Sequence, residues 1–134
     1  MQPNDRTCIA LLHALFFAIG GVWSVLHRRS FEAVSGPKID YWLVRTVGGL
    51  LTTVGIVLAG AALRDRITPE IRWLAIGTSG VLTAIDVIYT AQRRIRPVYL
   101  LDAAANLALI AGWLSVRAPA DSRARGKDAS LRSA

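Results

Sequence analysis

Residues 42–63 read WLVRTVGGLLTTVGIVLAGAAL, and Arg45 is the only charged side chain among them. Such a run offers water no polar face, which excludes an ordinary amphipathic surface helix. At about 1.5 Å per residue it is long enough to cross about 30 Å of hydrocarbon. Three further runs share this character. Residues 7–26, TCIALLHALFFAIGGVWSVL, hold only His13 as a candidate charge; residues 71–91 hold Arg72 at their edge and Asp86 inside; residues 98–116 hold Asp102 and Asn106. The strict alternation of a membrane β-strand is absent. The expected fold is therefore all-α: an antiparallel bundle of four transmembrane helices, with spans at about 7–26, 42–63, 71–91 and 98–116 in one domain over residues 1–117.

Composition agrees with that reading. The chain has 134 residues, enough for one domain, and 53% of them are hydrophobic. Its formal charge of +7 does not point to nucleic acid, because the basic residues gather at span ends and in the tail, where they meet lipid headgroups. Residues 118–134 form a polar, basic tail, expected to be disordered and to rest on anionic headgroups. The leader MQPNDR sets an acid beside its arginine, and no small-x-small site precedes HRRSFE, so the first run reads as a retained span rather than a cleaved signal. A lone Cys8 supports neither a disulfide framework nor a metal site, and no cofactor or metal is expected. Of the 16 Lys and Arg residues, nine fall on the side of the termini and seven on the other, a balance that leans only slightly toward cytoplasmic termini.

The polar residues inside the spans form a pattern. With four antiparallel spans, the segment 27–41 and the turn 92–97 share one side. Counting inward from it places Asp86 at about 7 Å, Asp102 at about 6 Å, Asn106 at about 12 Å and Arg45 at about 4–5 Å. Trp23, Ser24 and His27 reach the same level. Helical spacing groups Ser79, Thr83, Asp86, Thr90 and Arg93 on one face of the third span, and Tyr99, Asp102, Asn106 and Trp113 on one face of the fourth. A carboxylate among acyl chains costs about 2.5–3.5 kcal/mol at a helix centre, so these groups are expected to face inward. The expected site is a half-depth polar pocket of Arg45, Asp86, Asp102, Asn106, Thr90, Arg93, Tyr99, Trp23 and His27. In it, Asp86 pairs with Arg45 or Arg93 or stays protonated.

Plainer roles stand beside each of these. Asp86 with Arg45 is also what a structural pair fixing helix order looks like, Asp102 can serve the positive end of the fourth helix, and Arg45 is shallow enough to snorkel. His13 lies in the opposite leaflet, where a hydrogen bond to Thr53 or Thr78 is expected rather than metal or haem ligation. Glycines in the spans suit close helix approach in lipid, although no strict GxxxG occurs to mark a homo-oligomer face. In SFEAVSGPKIDYW (residues 30–42), Gly36-Pro37 forces a turn. Phe31, Val34, Tyr41 and Trp42 suit the interface. Glu32, Lys38 and Asp40 either cover the pocket mouth or sit in an interfacial elbow.

SFEAVSGPKIDYWLVRTVG together with PVYLLDAAANL resembles recurring segments of small four-span bacterial membrane proteins, over most of the chain except the tail. That resemblance implies a multi-pass protein of the bacterial cytoplasmic membrane and carries no activity or site with it. In general layout only, a polar pocket in a compact bundle is similar to the sterol-isomerase and sigma-2-receptor class; none of that class's motifs is matched here. Three function classes remain. The pocket binds or helps move a small polar or amphipathic molecule, a lipid headgroup or a proton; or the chain is an assembly subunit built on glycine faces and an ion pair; or a carboxyl serves acid/base catalysis. No HExxH, GxSxG or phosphate loop supports the enzyme, and the first reading is preferred.

Overall fold

A computed structural model describes residues 4–116; the tail, expected to be disordered, lies outside the described residues. All regular structure among them is helical: α1 (Asn4–Leu26), α2 (Arg28–Ser35), α3 (Tyr41–Leu63), α4 (Pro69–Ala91) and α5 (Tyr99–Ser115). Three of these, α1, α3 and α4, are long and apolar enough to cross a membrane. With 17 residues, α5 spans about 26 Å and falls short of the usual hydrocarbon thickness. The short α2 lies inside the segment read from sequence as an interfacial elbow, where no helix was foreseen.

The ends of the long helices follow local chemistry. Thr68 caps α4, its hydroxyl accepting from the Ile71 N–H at 3.4 Å, with Pro69 next and Glu70 in the first turn. Both α3 and α4 close through a left-handed residue that is not glycine, Asp65 at φ 51° and Arg93 at φ 56°. After each, paired backbone bonds wrap the last turn: Asp65 N–H to Ala62 O and Arg66 N–H to Ala61 O, then Arg93 N–H to Thr90 O and Arg94 N–H to Tyr89 O.

Helices α1 and α3 pack closely along their length, as do α4 and α5, whereas the two pairs touch more lightly. Glycine makes the first pairing possible. A Cβ on Gly55 would stand 2.8 Å from Ala14 O, and one on Gly48 2.8 Å from Gly21 O. The Tyr41 hydroxyl donates to Ser24 O at 2.6 Å and closes that pair near its loop end. At the opposite end Arg72 Nη1 donates to Val116 O at 2.9 Å, tying the start of α4 to the end of α5. Small and polar residues such as Ala10, Ala14, Ala75, Ser79 and Asn106 are buried, while Leu12, Ile19, Leu50, Ile56, Val81 and Leu101 face outward. That distribution suits hydrocarbon surroundings better than water.

Candidate functional site

The site is set by the α4–α5 hairpin. The left-handed Arg93 closes α4, and Pro97 lies in the turn just before α5 begins. Asp86 then lies about 7 Å from the turn along α4 and Asp102 about 5 Å along α5, which brings two carboxyls to one level. There the two carboxyls lie close enough to act on one another. Two carboxyls can hydrogen-bond only if one of them carries a proton. Asp102 already accepts from Asn106, whose Nδ2 donates to its Oδ2 and its carbonyl oxygen, each at 3.0 Å. Asp102 also sits in the first turn of α5, where exposed N–H groups favour negative charge. Of the two, Asp86 is therefore the better placed to hold that proton.

Burial makes this arrangement chemically unusual. Asp86 is 5% exposed and Asn106 is fully buried. Four oxygens here find no partner: Thr83 Oγ1, Asp86 Oδ2, Thr90 Oγ1 and Asn106 Oδ1. Thr83, Asp86 and Thr90 share one face of α4 at spacings of three and four residues. Threonine hydroxyls donate as well as accept, so this set suits a proton, water or another small polar species.

The expected guanidinium partners are elsewhere. Arg45 does not pair with Asp86; it is exposed, with its guanidinium 5.8 Å from the Tyr41 ring centroid. The reason is that α3 turns its glycine face to α1 and touches α4 only lightly. Arg93 is also exposed, because it serves as the left-handed residue closing α4. No cation pairs with either aspartate among the described residues. Tyr99 lies under Lys38, whose Nζ is 5.0 Å from its ring centroid, and Arg96 Nη1 donates to Ala33 O at 3.1 Å. The end of α2 and the segment after it thus lie against the α4–α5 turn and the start of α5. Trp23 and His27 do not join the acids; they line a shallow groove of about 430 Å³ on α1, with Ala18, Ile19, Val22 and Leu26.

A second polar centre forms in the other half of the bundle. His13 is fully buried, with Nε2 3.0 Å from Ser79 Oγ and Nδ1 accepting from Trp113 Nε1 at 3.0 Å. The buried, hydrogen-bonded histidine was expected, but not these partners. Thr53 and Thr78 instead donate to carbonyls of their own helices, Gly49 O at 2.9 Å and Leu74 O at 2.8 Å. Ser79 and Trp113 end the polar stripes of α4 and α5 at the level of His13, a signal legible in the spacing.

Compared with known proteins, the chain matches no family model, no curated protein and no solved structure. What the site can do follows from its own atoms.

Proposed function

We propose that this chain is a multi-pass membrane protein of four spans, with α5 as the short fourth span and α2 at the interface, and that its α4–α5 hairpin binds and helps move a small polar species, a proton before any other. The observation that carries this is the contact between buried Asp86 and Asp102 with no cation beside them. A carboxyl pair of this kind holds one proton in a place where two negative charges would be costly. Unpaired oxygens of Thr83 and Asn106 flank it on the deeper side, and that of Thr90 extends the polar face toward the α4–α5 turn. Exchange with water would then pass the segment held by Lys38 on Tyr99. The two helix pairs touch lightly, and His13 ties them in the other half of the bundle through Ser79 and Trp113.

The assembly reading has less support, since its ion pair does not form and the closest glycine contacts are satisfied inside the chain. The slight excess of basic residues at the termini favours a cytoplasmic location for both ends. Infrared difference spectroscopy of the full chain in phospholipid vesicles tests the proposal. A protonated-carboxyl band that changes with pH and disappears in Asp86→Asn is expected, together with slower dye-reported proton uptake by vesicles holding that variant. An unchanged band and unchanged uptake in Asp86→Asn would sink the reading.

A further inference from the structure

We propose that the groove on α1 and the start of α2 together seat one anionic phospholipid, with an acyl chain along Ala18, Val22 and Leu26 and the phosphate at His27 and Arg29. This rests on the membrane placement of α1 and not on the carboxyl pair.

The groove lies between two rows of side chains spaced four apart, 18-22-26 and 19-23-27, so it runs along the helix axis. From residue 18 to 27 it extends about 13 Å, close to the depth of one hydrocarbon leaflet. It is an open trough of about 430 Å³ lined by one helix, a shape that suits an acyl chain lying along that helix rather than an enclosed ligand. Trp23 forms a wall that is already ordered: its Nε1 donates to Ser30 Oγ at 2.8 Å, and Phe31 meets its ring edge-on at 5.4 Å.

Chemistry changes abruptly at the end of α1. His27, Arg28 and Arg29 follow Leu26 directly. Arg28 is committed to Glu32 at 3.1 Å and to the face of Tyr41 at 4.6 Å. Arg29 is exposed and has no ion-pair partner among the described residues. Helix α2 begins with no side-chain cap from His27 and no acid in its first turn, so its leading N–H groups add to the positive field. An apolar trough ending in unneutralised positive charge is complementary to a lipid with net negative charge. A zwitterionic headgroup would bring a second cation to the same place.

The test uses the full chain reconstituted in vesicles of equal parts phosphatidylcholine and phosphatidylglycerol, then extracted in mild detergent for native mass spectrometry, with helicity checked by circular dichroism. One phosphatidylglycerol retained in preference to phosphatidylcholine is the expected result. Arg29→Gln should reduce that preference about fivefold, the share of one interfacial arginine. Val22→Trp, which fills the groove from its exposed side, should abolish retention, while Arg66→Gln at the other end and Asp86→Asn should leave it unchanged. Equal retention of the two lipids, or undiminished retention by folded Val22→Trp, would overturn the assignment. So would a loss in Arg66→Gln as large as that in Arg29→Gln, or a change of oligomeric state in Val22→Trp with the lipid count intact, which would make the groove a seat for a second copy.

Discussion

The Trp113 indole N–H donates to Nδ1 of His13 across 3.0 Å, joining α5 to α1. Indole nitrogen is a donor only, so Nδ1 must be bare and the ring proton must sit on Nε2, facing Ser79 Oγ. Neutral His13 therefore bridges α1, α4 and α5 with both nitrogens in use. Trp113→Phe removes one of these bonds and strands a buried acceptor, and His13→Leu removes both. Interhelical hydrogen bonds in lipid are worth about 0.6–1.7 kcal/mol each. A lowered unfolding midpoint in detergent is expected for both variants, larger for His13→Leu, with part of the loss recovered when Ser79→Ala accompanies it.

The exposed position of Arg45 separates it energetically from Asp86. Arg45→Ala should leave stability within about 0.5 kcal/mol of the native chain and leave the carboxyl infrared band unchanged. Asp86→Asn keeps a donor toward Asp102 and should fold with stability within about 1 kcal/mol of native, while losing the exchangeable proton. Asp86→Leu lacks that donor, and it should destabilise the hairpin more than Asp86→Asn does. A reversed order in thermal unfolding would show that the pair is not hydrogen-bonded.

Glycines on the two faces of the bundle should respond oppositely to alanine. At Gly48 and Gly55 an added methyl collides with backbone atoms of α1, and overpacking of this kind costs about 1–3 kcal/mol. Around Gly77 and Gly80 a Cβ meets nothing within 4 Å. There alanine should be neutral or stabilise by about 0.5–1 kcal/mol through helix propensity. Paired melting curves of Gly48→Ala and Gly77→Ala provide the comparison.

Acid should loosen the segment between α2 and α3. Arg28 Nε donates to Glu32 Oε2, and the Lys38 backbone N–H donates to Oε1, both at 3.1 Å. The Arg28 hydrogen bond first, and the Lys38 backbone second, hold the Glu32 carboxyl below its usual value. Since the folded value lies under the unfolded one, the contribution is complete above the ordinary glutamate range and fades as pH falls through the lowered folded value. Hydrogen exchange at the Lys38 amide should therefore gain protection with rising pH once intrinsic exchange is corrected for. That dependence should vanish in Glu32→Gln.

Helix class, the number of apolar runs and their boundaries were legible in the residues alone. Unbroken apolar runs of this length favour continuous long helices, and the limits 42–63 and 71–91 come within two residues of α3 and α4. Spacing also placed Asp86 and Asp102 at one level, because depth along a helix is a matter of counting. Which groups then meet was decided by tertiary structure. Periodicity assigns a side chain to a face, but only packing chooses the helix that face meets. Gly48 and Gly55 drew α3 against α1, which left Arg45 outside and set Asp86 against a second acid instead of a guanidinium. The turn likewise took Arg93 for its left-handed backbone conformation, a demand of main-chain geometry that no charge pattern reveals.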